Sequence, residues 1–370
     1  MKKKIAVSIV AVVLTATVLA LAGEVYVRRT QSYIVSQQEQ QRRLGLVEQN
    51  PSLLIHYTPK GKRLIPGAKV IVKHHALSGA DIPININSVG FRGEEVALDP
   101  TPGVPRILML GDSITWGDYV RDEETYVRQA ARTLEAGLGY RVEAINAGVG
   151  DTGSQEQIDI LEESGLRVKP DIVVLGFYLN DSRPPWGFPA ELEGRNWLRR
   201  HSLFVDKVYE KLTLRRWLRQ QGADRFAWVD AQYRLDWKHD RAAFLELAHL
   251  AQYDWGAAWV EDSWTTIDRE LTRLEAHARR NGFRVATLTF PVRFQVEAST
   301  PEDSPQRTFA ALARRHGFSN LDLLPVYRAH AGETIFFDWC HPTPAMNRTI
   351  GAAVADFLRD EVKQVHAAHE

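Results

Sequence analysis

The spacing of hydrophobic positions changes several times along this chain. Residues 5–22 (IAVSIVAVVLTATVLALA) carry no charge, and residues 24–50 turn polar, rich in Gln and Arg. Residues 51–100 hold short apolar runs such as Lys69-Val70-Ile71-Val72-Lys73 and Ile82-Pro83-Ile84-Asn85-Ile86, punctuated by Pro and Gly. They predict a small β-rich segment, ending in Asn87-Ser88-Val89-Gly90-Phe91-Arg92-Gly93, that packs against whatever follows. From Arg106 apolar runs of strand length alternate with stretches at helical spacing. Strands are predicted at 106–110, 141–145, 172–177, 284–290 and 320–323, and helices at 123–136, 154–164, 262–281, 304–316 and 344–363. This alternation implies an α/β fold with a parallel sheet and right-handed crossovers.

The first apolar run follows Lys2-Lys3-Lys4. Its length just spans a bilayer, which needs roughly 17–25 residues. The basic flank stays cytoplasmic, so the remainder faces outward. Ala20-Leu21-Ala22 before Gly23 also fits a signal-peptide cleavage site. The anchor is preferred, because the run exceeds the usual apolar core of a signal peptide, about 7–15 residues. The chain then divides into 1–22 as a transmembrane signal anchor or signal peptide, 23–50 as a juxtamembrane stalk, 51–104 as the β-rich segment and 105–366 as the main domain. In the anchored reading the domain is tethered extracytoplasmically, periplasmic or at the cell surface; in the other it is secreted.

The interval 183–261 interrupts the alternation. It reads as a mostly helical insertion and holds Trp186, Trp197, Trp217, Trp228, Trp237, Trp255 and Trp259, seven of the chain's 10 tryptophans. These rings either form the insertion's own core or present a platform to substrate, and the core reading is preferred.

Composition removes some function classes. Lys+Arg and Asp+Glu are equal at 46 each, so no basic excess points to nucleic acid. A single cysteine, Cys340, rules out an internal disulfide and any cysteine-based zinc cluster. His74-His75 lacks accompanying ligands and reads as a solvated pair. No metal or cofactor is expected, and the sequence sets no oligomeric state.

The predicted strands end in polar residues: Gly111-Asp112-Ser113, Gly150-Asp151 and Asn180-Asp181. A further cluster, Asp338-Trp339-Cys340-His341-Pro342-Thr343, precedes the last helix, with Thr343 as N-cap and Pro344 at its first position. Strand ends of a parallel sheet converge, and these residues form an acyl-transfer set. Ser113 needs a base, which His341 supplies, and Asp338 fixes the imidazole tautomer. The backbone N–H groups of Ser113 and Gly150, with the Asn180 side-chain amide, supply oxyanion donors. Asp112 reads as a brace for the turn, and Cys340 as a small buried residue beside His341. Asp118, Arg121 and Asp122 read as site mouth or surface.

These blocks resemble the SGNH or GDSL-type serine hydrolases. Gly111-Asp112-Ser113 is similar to the nucleophile block of that family, 146–152 to its glycine block, Asn180-Asp181 to its Asn block and 338–342 to its Asp-x-x-His block. The N-terminal anchor and the Asn-Ser-x-Gly-Phe-Arg-Gly segment resemble a membrane-tethered bacterial branch. The resemblance implies a flavodoxin-like three-layer α/β/α sandwich and metal-independent ester hydrolysis. In two places the chain departs from the family. Tyr178 stands where the family usually has Gly, and the shortened glycine block lets Gly150 or Asp151 supply the oxyanion N–H. Asp112, Asp151, Tyr178 and Asp181 are expected near the pocket.

The expected function is an extracytoplasmic serine esterase acting on acyl esters, O-acetyl groups of a cell-envelope or extracellular glycan foremost. An O-acyltransferase with a sugar hydroxyl acceptor uses the same residues. A membrane-tethered, non-catalytic binding module is the alternative of another class.

Overall fold

The computed structural model describes residues 2–36, 54–58, 60–181, 196–221, 226–300 and 302–369. The N-terminal apolar run lies within one helix, Lys2–Thr30. Lys4–Thr30 is long and apolar enough to cross a membrane, and none of its most apolar stretch is buried among the described residues. Beyond that stretch the helix docks. Gly23 lies against the Phe204 ring, and Val27 is buried. The Glu24 carboxylate accepts hydrogen bonds from Ser202 Oγ (2.8 Å) and the amides of Leu203 (3.1 Å) and Phe204 (2.9 Å). It thereby caps the Leu203–Gln221 helix from outside, satisfying N–H groups that have no partner within that helix.

Of the juxtamembrane helix or stalk expected over the polar stretch 23–50, the part to Thr30 is helical and residues 33–36 form a strand. The helix continues to Thr30, and β1 (Tyr33–Ser36) pairs antiparallel with a strand of the β-rich segment. Tyr33-Ile34-Val35 favours a pleated, half-buried strand, and this local preference outweighs the polarity around it. The Gln- and Arg-rich remainder, 37–50, lies outside the described residues.

β2 (Ile55–Thr58) and β3 (Gly61–Leu64) form a hairpin. β4 (Lys69–Lys73) and β5 (Ile82–Asn85) complete the three-stranded sheet β1-β4-β5. The hairpin is fastened to the main domain. Arg63 pairs with Glu163 (2.7 Å), Lys62 with Asp151 (2.8 Å), and the Lys62 amide donates to Glu156 (3.0 Å).

The main sheet is built from β6 (Arg106–Gly111), β7 (Glu143–Asn146), β8 (Ile172–Tyr178), β9 (Arg284–Phe290) and β10 (Ser319–Asp322). All its pairings are parallel, in the order β10-β9-β8-β6-β7. β6 and β8 are buried along their whole length, as expected of strands covered on both faces. The chain steps from β6 to β7 in one direction and from β7 over to β8 in the other. Right-handed crossovers therefore put the Tyr126–Leu138 helix on one face and the Ser154–Glu163 helix on the opposite face. The long C-terminal helix, Pro344–His369, packs beside the first, and Ser263–Asn281 beside the second. The result is a flavodoxin-like three-layer α/β/α sandwich. Its chain order reverses between β6 and β8, and such a reversal opens a crevice at the C-terminal strand ends.

The described part of the insertion is helical, and most of its tryptophans are core. Trp228, Trp237 and Trp255 are buried around Phe294, and Trp228 also meets Trp339 edge-on at 5.2 Å between ring centres. Trp197 is the exception, 70 % exposed on the short helix beside the docked end of the N-terminal helix. Trp186 lies outside the described residues.

One glycine shows how tightly the crevice floor is packed. A Cβ at Gly148 would lie 2.3 Å from the Trp116 amide nitrogen, and one at Gly332 would meet nothing within 4 Å. Gly148→Ala is expected to cost roughly 1–3 kcal/mol of stability by overpacking. Gly332→Ala should stay within about 0.5 kcal/mol of wild type. Denaturant unfolding of the detergent-solubilised chain measures both.

Candidate active site

β6 runs into Gly111, which lies opposite Gly176 of β8. A Cβ at Gly111 would sit 2.1 Å from Thr115 Oγ1, and one at Gly176 would sit 2.7 Å from the same atom. The two glycines let the turn after β6 fold down onto the sheet. Asp112 caps the helical turn Ser113–Trp116, its Oδ1 accepting from the Ile114 amide at 2.9 Å. Burial pushes the Asp112 carboxyl up to about 6. Ser113, the first residue of the turn, is thereby lifted to the strand end.

The loop before the last helix brings the other two groups to it. Asp338 Oδ1 accepts from the amides of Cys340 and His341, each at 2.9 Å, so the loop is wound around its carboxylate. Asp338 Oδ2 lies 2.7 Å from His341 Nδ1, and His341 Nε2 lies 2.8 Å from Ser113 Oγ. The short contact to Asp338 places a proton on Nδ1 and leaves the Nε2 lone pair facing the serine hydroxyl. Burial opposes ionisation of Asp338, but its hydrogen bond to His341 and the imidazole charge outweigh this and lower its pKa. For His341 burial likewise disfavours the charged form. The hydrogen bond and charge of Asp338 prevail, with Asp118 and Asp112 adding to them, and the pKa is raised.

On the other side of Ser113 stands the turn after β7. A Cβ on Gly150 would lie 3.9 Å from Ser113 Cβ, so the Gly150 backbone borders Ser113. Asn146 ties this turn down, donating from Nδ2 to the Thr115 carbonyl (2.8 Å) and accepting from the Gly148 amide (3.0 Å). Asn180 is half-buried, two residues past the end of β8. Among the described residues, the amides of Ser113 and Gly150 and the Asn180 side chain make no hydrogen bond. Three donors at this strand-end edge thus have no acceptor.

The four residues expected near the pocket support it from behind or from the side. Asp112 is buried under the turn, and Tyr178 is buried with its hydroxyl making no hydrogen bond among the described residues. Asp181 is buried and accepts from the Tyr178 amide at 3.0 Å. Asp151 adopts a left-handed backbone (φ 58°) and turns its carboxylate to Lys62. Short polar residues after a strand commonly close the turn, and Asp151 and Asp181 do so beside the site. Burial also pushes the Cys340 thiol well up, so it stays protonated. Asp338, Cys340 and His341 place potential ligand atoms within 4.8 Å of one another, but this set offers a neutral thiol and two groups already bonded to each other, a poor fit to a metal ion.

Other residues at the site gave weaker sequence signals. Tyr119, with φ 74°, donates to Asp338 Oδ2 at 3.2 Å and meets the His341 ring edge-on at 4.6 Å. His75, expected as part of a solvated pair, is half-buried with its ring 4.2 Å from Tyr119, because the β-rich segment folds over the site. Asp118 Oδ2 is 3.8 Å from His341 Nε2. Arg92 is buried and donates to the carbonyls of Trp116 (2.8 Å), Gly117 (2.8 Å) and Val120 (2.7 Å), while its Nε pairs with Asp122. It clamps the whole 116–122 turn that follows Ser113. Arg92 lies in the Asn-Ser-x-Gly-Phe-Arg-Gly stretch, the one sequence signal that pointed to it.

No protein-family model matches this chain, and no curated protein matches its sequence. Solved structures overlay on it in part. One is a two-domain esterase active on acetylated mannans, co-crystallized with mannopentaose: 16 % identity, TM-score 0.42, covering 70 % of this chain and 50 % of that one. This chain therefore spans half the length of that relative. An acetyl xylan esterase overlays with 15 % identity and TM-score 0.39, covering 68 % of this chain and 99 % of the other. A lipase/acylhydrolase from Enterococcus faecalis gives 17 % identity and TM-score 0.38, covering 70 % and 96 %.

Replacing the clamp tests how far the site depends on it. Arg92→Ala leaves three carbonyls and the Asp122 carboxylate without their buried partner. The expected outcome is a loss of roughly 3–5 kcal/mol in unfolding free energy. The rate at which a fluorophosphonate modifies Ser113 should fall at least about tenfold, the equivalent of 1.4 kcal/mol in the barrier.

Proposed function

We propose that this chain is a serine esterase of the SGNH or GDSL type, membrane-tethered, with its catalytic domain outside the cytoplasm. The observation that carries the reading is the continuous relay Ser113 Oγ–His341 Nε2–His341 Nδ1–Asp338, with contacts of 2.8 and 2.7 Å at the crevice of the sheet.

Catalysis follows from that geometry. Ser113 Oγ attacks the ester carbonyl carbon, and its proton passes to His341 Nε2 as the O–C bond forms. Asp338 stabilises the imidazolium that results. Negative charge grows on the former carbonyl oxygen, where the amides of Ser113 and Gly150 and the Asn180 side chain act as donors. Collapse breaks the bond to the alcohol oxygen, which takes the proton from Nε2 and leaves. Water then repeats the sequence on the acyl-enzyme, returning the free serine and a carboxylic acid. Residues 105–366 form the catalytic domain in this reading, and the 51–104 segment braces it. The proposed substrates are O-acyl esters, O-acetyl foremost, of a cell-envelope or extracellular glycan.

Ser113→Ala is expected to abolish fluorophosphonate labelling and to lower turnover of a short-chain nitrophenyl ester by roughly 10³-fold or more. Labelling or turnover retained in the variant would refute the assignment of the nucleophile. The base must be neutral to accept the serine proton, so kcat/KM should fall as pH drops through the raised His341 pKa. The acid-side midpoint of the pH profile is therefore expected above the ordinary 6.5. A midpoint below that value would contradict the Asp338–His341 coupling. For location, sequencing of the mature N-terminus should read Met1 or Lys2; a start at Gly23 would instead mark a cleaved signal peptide.

A further inference from the structure

We propose that Asp118 is a substrate-binding residue whose carboxylate accepts a hydrogen bond from a hydroxyl next to the departing ester oxygen, making the site selective for esters of polyhydroxylated alcohols. This rests on the esterase reading above and adds to it the chemistry of the alcohol side.

Asp118 belongs to the same turn as the nucleophile, its amide donating to the Ser113 carbonyl at 3.0 Å. Its Oδ2 lies 3.8 Å from His341 Nε2 and 3.7 Å from the position of a Cβ on Gly150, the position that also borders Ser113 Cβ. The carboxylate therefore sits beside the nitrogen that exchanges protons with the serine and the leaving group. Among the described residues it accepts no hydrogen bond, and its side chain is 36 % exposed.

This carboxylate is held in place by its surroundings. Gly117 and Tyr119 on either side adopt left-handed backbones, with φ of 84° and 74°. The Arg92 guanidinium holds the carbonyls of Trp116, Gly117 and Val120. The Tyr119 ring packs edge-on against His341, and the His75 ring lies 4.2 Å from that of Tyr119. An acceptor that takes no hydrogen bond among the described residues, on so constrained a turn, is positioned in advance for a donor from outside the chain.

The reaction geometry identifies that donor. The leaving oxygen must come within hydrogen-bond reach of Nε2 to take its proton. Two gauche oxygens of a vicinal diol lie about one hydrogen-bond length apart. With one of them at Nε2, the other falls within reach of Asp118 Oδ2. An alcohol lacking that hydroxyl covers the carboxylate without giving it a donor, and an anionic group at the same place is repelled.

The test uses the full chain in detergent and two acetate esters of a three-carbon alcohol, glycerol 1-acetate and propyl acetate. The readout is the ratio of their kcat/KM values. Wild type should favour the glycerol ester. Asp118→Ala should lower that preference at least tenfold. The isosteric Asp118→Asn should lower it by a smaller factor, because a neutral amide oxygen accepts more weakly, and it reads the same ratio should the alanine variant fail to fold. A carboxylate acting only through the charge of His341 would slow both esters alike. A ratio unchanged within twofold in the variants, or a wild type that prefers propyl acetate, overturns the assignment while leaving the esterase reading intact. Turnover of neither ester, with no fluorophosphonate adduct on Ser113, overturns both.

Discussion

The Asp338 carboxylate accepts from two backbone amides with one oxygen and from His341 Nδ1 and the Tyr119 hydroxyl with the other. The first pair winds the loop and the second fixes the imidazole. The position of Nε2, and with it the hydrogen bond to Ser113, follows from this one group. A buried carboxylate is costly unless its oxygens are satisfied, and here four donors meet it. Removing it would leave the imidazole without orientation and the loop without a centre.

The rest of the molecule holds that loop and the serine turn in register. The insertion sets Trp228 edge-on against Trp339, between Asp338 and His341 in the chain. The β-rich segment sends Arg92 under the serine turn and lays His75 over Tyr119. The close packing of Gly111 and Gly176 lowers the turn onto the sheet at the point where strand order reverses. Both additions to the three-layer sandwich thus brace the turn of Ser113 or the loop of Asp338 and His341. The N-terminal helix is joined to the same assembly by Glu24, which caps the Leu203–Gln221 helix. In the membrane-anchored reading, the domain would stand at a fixed position close to the bilayer.

Much of this was legible in the sequence, for a physical reason. A strand buried on both faces is apolar along most of its length, so 107–111 and 172–178 stand out, and the polar residues that end them mark the crevice. Asp338 and His341, three apart before a Thr-Pro helix start, likewise carry local signals. What stayed hidden depends on contacts between distant residues. Arg92 reaches the carbonyls of residues 116–120, and His75 reaches Tyr119, through the docking of one segment on another. The left-handed Tyr119 has no local signature, since a bulky residue rarely takes that conformation. Polarity misled at 33–36, where four residues pair into a sheet inside a stretch that otherwise reads as solvated. The partners of Asp151 and Asp181, Lys62 and the Tyr178 amide, likewise have no local signal in the sequence.

The central claim is that Ser113 forms a covalent acyl intermediate. Rapid acid quench of the chain during turnover of an activated acetate ester, followed by digestion and tandem mass spectrometry, tests it most directly. An acetyl group is expected on the Ser113 hydroxyl, absent when the substrate is omitted. Acetyl on Cys340 or His341 alone, or turnover with no adduct on Ser113 at any quench time, would contradict it.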